Sequence, residues 1–164
     1  MRRIFFVIIF AVLTFNFINF RVLSEENVSE TELNIFTGLF DFSDDKQKSG
    51  LIGIQHQNED LFRNSFLGKL SPITGGFLTE NNAAYLYTGI QAEYGLGILK
   101  IIPSFAPGYY HDGDGKDLGS PIEFKSEIQM TLDLSDTTQF GMSYNHISNA
   151  SLGDKNPGAN SYMI

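Results

Sequence analysis

Residues 122–134 read Ile-Glu-Phe-Lys-Ser-Glu-Ile-Gln-Met-Thr-Leu-Asp-Leu, and their two parities differ sharply. Ile122, Phe124, Ser126, Ile128, Met130, Leu132 and Leu134 fall on one; Glu123, Lys125, Glu127, Gln129, Thr131 and Asp133 fall on the other. A strand sends successive side chains to opposite faces, so this stretch is a ribbon with one apolar and one ionic side. It outruns the ordinary strand of ~5–6 residues and suits a tilted membrane strand of ~9–11.

Outward from this segment the same period recurs. After a turn at Ser135-Asp136 it resumes over Thr137–Asn149, with Phe140, Met142 and Tyr144 on one face and Gln139, Gly141, Ser143 and Asn145 on the other. Further strands are expected at Leu33–Phe42, Gly50–Gln57, Leu70–Leu78, Ala84–Tyr94 and Leu96–Phe105. An eighth starts near Ser161 and stops at Ile164, short of a membrane strand, so the chain is expected to continue. SDDKQKSG, TENN and HDGDGKDLGSP supply turn residues between them, and no helix-period segment is long enough for a crossover. The expected fold is all-β, an eight-stranded antiparallel barrel whose last strand is truncated. A soluble barrel of the lipocalin type shows the same alternation with its apolar parity inside. The 15 Phe and 7 Tyr, and the ionic parity of Glu123, Lys125 and Glu127, favour an outer-membrane barrel with a polar, mutually neutralising lumen.

The amino terminus agrees with export. Arg2 and Arg3 precede an apolar run from Ile4 to Phe20, and Val22 and Ser24 are small enough to flank a cleavage site after Ser24. The expected organisation is a signal peptide over 1–24 and one barrel domain over 25–164. Cleavage removes three arginines and no acid, leaving 8 basic against 19 acidic side chains, a charge of −11. That balance argues against a nucleic-acid partner, which needs a basic patch. With no Cys, disulfides, thiolate metal sites and Cys nucleophiles are excluded. A mean hydropathy of −0.08 conceals how unevenly the apolar residues are distributed.

Chemistry concentrates in Asn145–Asn160, NHISNASLGDKNPGAN. His146 and Ser148 lie two apart on a strand, so both point the same way, on the parity of Phe140, Met142 and Tyr144. In a membrane barrel that parity faces lipid. A His beside a Ser can take its hydroxyl proton and make it a nucleophile. H-x-S alone is a weak signal, and on spacing alone a polar strand end with an interfacial His is the favoured reading.

The block His146-Ile147-Ser148-Asn149-Ala150, with Leu152 and Asn156-Pro157-Gly158 after it, resembles the signature of the lipid A 3-O-deacylases (PagL type, acyloxyacyl hydrolase-like). Gly113–Ile128 and Pro72–Ile90 resemble the same family. The resemblance implies an eight-stranded barrel in the outer membrane of a Gram-negative bacterium. Its implied activity is hydrolysis of the ester-linked acyl chain at the 3-position of lipid A in lipopolysaccharide, without cofactor or metal. It assigns Ser148 as nucleophile and His146 as general base, with Asn149 and the backbone near Ser151 as oxyanion donors. The chain departs from the family at the third member. A Glu is expected twelve residues after the nucleophile, and Asn160 stands there. An Asn can orient an imidazole but brings no charge to the imidazolium; Asp154 is a nearby acid at the wrong spacing.

Two other readings stay open: a catalytically inactive outer-membrane barrel with a structural or interaction role, and a soluble periplasmic binding barrel. Homo-oligomerisation is equally open. His111–Asp117 lacks the order of a calcium loop and reads as a turn. His56 has no second ligand at metal spacing, and Asn27-Val28-Ser29 is a short sequon match without further support.

Overall fold

The computed structural model describes residues 31–164, apart from 59, 60, 62 and 136. The expected signal segment 1–24 therefore lies outside the described residues, as does the start of the barrel domain at 25–30. The strands are β1 (Thr31–Phe40), β2 (Ser49–Asn58), β3 (Arg63–Ser65), β4 (Gly68–Thr79) and β5 (Ala84–Leu96). They continue as β6 (Leu99–His111), β7 (Ile122–Ser135), β8 (Thr138–Ser148) and β9 (Ala159–Met163). All pairings are antiparallel. Sequential neighbours pair from β4 round to β9, β9 pairs with β1, β1 with β2, and β2 with β4. That closes a ring of eight, with the three-residue β3 extending the β2 edge of β4 by pairing with Gly68–Leu70.

All seven full strands expected from alternation are present. The main difference is β6, which runs on to His111 instead of ending at Phe105. Pro103, Pro107 and Gly108 look like breakers, and the β5–β6 ladder does skip Pro103 and Pro107. The ladder to β7 stays continuous from Leu99 to Tyr109. A proline removes one donor on one side only, so the strand survives by pairing on the other. The ring closes at the short β9. Ile164 and Thr37 exchange both backbone bonds at 2.9 Å, and Phe42 N–H donates to the Asn160 carbonyl at 3.0 Å. Gly38 faces this seam, where any Cβ would meet the Tyr162 carbonyl oxygen.

The two parities of β7 sort as alternation demands. Glu123, Lys125, Glu127 and Thr131 are buried, while Ile128, Met130, Leu132 and Leu134 are exposed. Ile35, Ile52, Leu86, Ile90, Phe105 and Met142 are likewise exposed on the outer wall. A soluble barrel would bury this set. The arrangement is that of an outer-membrane barrel, apolar where lipid lies and polar within. Eight strands leave room only for side chains. In the half away from the loops 112–121 and 149–158, Tyr87 O–H donates to Gln55 at 2.9 Å, and Gln91 donates to Gln57. Lys125 binds Glu127 at 3.2 Å and lies 3.9 Å from the Tyr87 ring centroid. Glu123 is not part of that network: among the described residues its carboxylate makes no ion pair with Lys125, whose ammonium goes to Glu127. Of the three charges expected in one network, Lys125 and Glu127 pair with each other and Glu123 stands apart.

Towards the other end the interior turns aromatic. Phe40, Phe77, Tyr85 and Tyr110 join in ring contacts of 5.7–6.0 Å. Leu118, from the β6–β7 loop, is buried against this cluster. The same loop is tied to each of the other three at that end: Lys116 to Asp41, Asp114 to Asn82, and Asp117 to Lys155. These ties hold the loops carrying the candidate site over a filled core.

Candidate active site

The site grows from the end of β8. There Tyr144, His146 and Ser148 take the outward parity, while Asn145, Ile147 and Asn149 are buried. Ladder register brings Asn160 of β9 directly opposite His146. Directly paired residues on one face lie ~4.5–5.5 Å apart at Cβ, close enough for short polar side chains to touch. His146 Nδ1 is 2.9 Å from Asn160 Oδ1, and Tyr144 O–H donates to the same oxygen at 2.8 Å. A carbonyl oxygen can only accept, so the His146 proton resides on Nδ1 and leaves Nε2 as the base.

Gly158 makes room for that ring. It has φ +62°, and a Cβ there would stand 2.8 Å from His146 Cε1. Ser148 pairs with Phe124, whose ring stacks on Phe105 at 5.9 Å along the outer wall. Ser148 and His146 share a face, but among the described residues no hydrogen bond joins them.

Asn149 is placed differently from its outward neighbour. Its Nδ2 donates to the carbonyls of Leu118 and Lys155, both at 2.8 Å, and its backbone N–H donates to Asn156 Oδ1 at 3.1 Å. The side chain expected among the oxyanion donors thus faces inward and staples two loops. Ala150 and Ser151 follow with φ of +51° and +63°, a left-handed pair without glycine. Such backbone is strained and gathers at functional turns. Among the described residues no acceptor engages the N–H of Ala150 or Ser151. Ser151 is exposed at the rim, and Asp154, also exposed, makes no described bond to His146.

Three participants escaped the sequence reading. Tyr144 counted only as part of the apolar face, Asp41 only as part of the first strand, Leu33–Phe42, and Ser43 only as part of a turn. Asn160 Nδ2 donates to Ser43 Oγ at 3.2 Å, and Asn160 N–H reaches Asp41 Oδ1 at 3.4 Å. Nothing local marks these residues, because the β8–β9 ladder brings Tyr144 beside Asn160 and the β1–β9 seam brings Asp41 and Ser43. Near the calcium-like stretch, Asp114 accepts from Asn82 at 3.0 Å and Asp117 from Lys155 at 2.8 Å.

The fold and this outer-wall group define an outer-membrane barrel of eight strands with a Ser, a His and an Asn gathered at one rim. Residues 51–164 match the profile of the lipid A 3-O-deacylase (PagL) family, and the chain belongs to that family. Among solved structures, the crystal structure of the outer membrane enzyme PagL is similar with a TM-score of 0.63 and 19% identity. The match covers 82% of this chain and 95% of that one. At that identity the likeness bears on the fold. A comparison with curated proteins finds no match.

Proposed function

We propose that this chain is an outer-membrane serine esterase that hydrolyses the 3-O-linked acyl chain of lipid A in lipopolysaccharide. The observation carrying this reading is the 2.9 Å contact of His146 Nδ1 with Asn160 on the lipid-facing wall that also bears Ser148. An ester whose acyl chain lies in a membrane approaches from that side. Ser148 Oγ attacks the acyl carbonyl carbon while His146 Nε2 takes the hydroxyl proton. The uncommitted N–H groups of Ala150 and Ser151 are the best-placed donors to the oxyanion, with Asn149 fixing the turn that presents them. Collapse breaks the bond to the sugar oxygen, which leaves with the proton from Nε2. Water then attacks the acyl-enzyme carbonyl as His146 Nε2 takes its proton; collapse breaks the bond to Ser148 Oγ, which recovers that proton from Nε2 as the free fatty acid leaves. Asn160 holds the ring but adds no charge, so turnover is expected to be slower than with a carboxylate there.

At the far end β5 and β6 are joined by the two residues 97–98, while the site end carries the long connections 41–48, 112–121 and 149–158 beside the short 80–83. Long loops face outward in such barrels, which puts the site at the outer surface, after export directed by residues 1–24. The runner-up, an inactive barrel with a structural or interaction role, draws on the missing Ser148–His146 bond. Apo sites are often loose in this way. Mass spectrometry of lipid A from cells expressing the chain separates the two. The expected result is a species lacking one acyl chain, absent with Ser148→Ala; identical lipid A in both would leave the inactive barrel.

A further inference from the structure

We propose that Asp41, acting through Ser43 and Asn160, is a positioning residue for His146 and supplies the negative charge that Asn160 lacks. The proposal rests on the esterase reading and adds a contribution from the β1–β2 loop, 119 residues before Asn160 in sequence.

Asp41 is fully buried, which a carboxylate tolerates only when its oxygens are engaged. One oxygen meets Lys116 Nζ at 2.7 Å; the other lies 3.5 Å from Ser43 Oγ and 3.4 Å from the Asn160 N–H. Its φ is +49°, a left-handed conformation away from glycine that persists where the surroundings over-determine it. Lys116 does not cancel this charge alone. Its ammonium is shared with Asp44 at 3.8 Å, so one cation serves two carboxylates and the cluster stays net negative.

The donors between His146 and Asp41 all run one way. His146 Nδ1–H donates to Asn160 Oδ1, Asn160 Nδ2–H to Ser43 Oγ at 3.2 Å, and the Ser43 hydroxyl to Asp41 Oδ1. Each donation makes the donor group a better acceptor at its other end, so a terminal carboxylate strengthens the whole series. Tyr144, donating to Asn160 Oδ1 at 2.8 Å, keeps the amide from turning over. No proton travels along the series; the Asp41 carboxylate acts on the ring only through the hydrogen bonds that orient and polarise it.

The test compares kcat and KM for lipid A in the folded full-length protein and in Ser43→Ala, Asp41→Asn, Asn160→Glu and Asn160→Glu/Asp41→Asn. Ser43→Ala and Asp41→Asn should lower kcat by about tenfold with KM little changed. Once Asn160→Glu puts the charge on the ring directly, Asp41→Asn should cost less than about twofold. Equal losses in both backgrounds would mean that Asp41 only braces the loops and would overturn the proposal. The second readout needs no turnover: the His146 Nδ1–H proton resonance in micelles. It should move upfield in folded Ser43→Ala, which leaves the Asp41–Lys116 pair intact; an unmoved resonance also overturns the relay. Lipid A deacylation that survives Ser148→Ala, or is missing altogether, defeats the esterase reading while the resonance still decides the role of Asp41.

Discussion

His146 is held from three sides: Asn160 fixes its tautomer, Tyr144 fixes Asn160, and Gly158 leaves space at Cε1. Each constraint makes a separate prediction. Asn160→Glu restores a charge beside the imidazole, and kcat on lipid A should rise by about tenfold or more. A fall in kcat with intact folding would show that the site is built around the neutral amide. Gly158→Ala acts sterically. A left-handed alanine costs roughly 1–2 kcal/mol, and its methyl presses on the ring. Stability should fall by about that amount in thermal unfolding, and kcat should fall more than the folded fraction does; a proportional fall would clear the ring of any displacement.

Among the elements, the β6–β7 loop governs the site without touching the nucleophile. Asp117 accepts from the Lys155 ammonium at 2.8 Å and the Gly119 N–H at 2.7 Å, and these bonds hold its carboxyl below the ordinary range. A carboxyl depressed in the folded state stabilises fully above its unfolded value of about 4, and that contribution fades as pH falls through the lower folded value. Amide resonances of residues 150–156 should stay sharp from neutral pH to about 4 and broaden below it. Lys155→Ala should broaden them at neutral pH; spectra alike in both proteins would show that the Asn149 staple suffices alone. Alternation announced β1, β2, β4, β5, β7 and β8 because period 2 survives in any register. The far half of β6 was hidden by Pro107-Gly108, and β3 by being three residues long. His146 and Ser148 could be paired from their spacing, whereas Asp41, Ser43 and Lys116 could not. They reach Asn160 only through ring closure and loop packing, which no local pattern records.

At the scale of the whole molecule, the inversion of apolar and polar faces decides where the protein lives. Ile128, midway along β7, is 45% exposed on the outer wall, while its neighbour Glu127 is buried in the lumen. Ile128→Lys should cost about 2–4 kcal/mol in a bilayer, since a charge at mid-depth is expensive there. The exposed Leu152, in the β8–β9 loop, gives the control: Leu152→Lys should be nearly neutral. Urea unfolding in vesicles measures both. Equal and small effects would mean that lipid does not cover the β7 wall.

The alternation of β7 also bears on how such a chain travels. A bilayer retains a segment that can fold into an apolar helix of about 20 residues. No strand here exceeds 14 residues, and polar side chains such as Glu123, Lys125 and Glu127 of β7 break up the apolar ones, so none of them can stop in a membrane crossed as unfolded chain. The greasiness exists only as a property of the finished ring. It arises when β9 meets β1 across Gly38 and the outward halves of eight separate strands join into one continuous belt. Insertion and closure are then one event, and the chain becomes a membrane protein at the moment its last edge disappears.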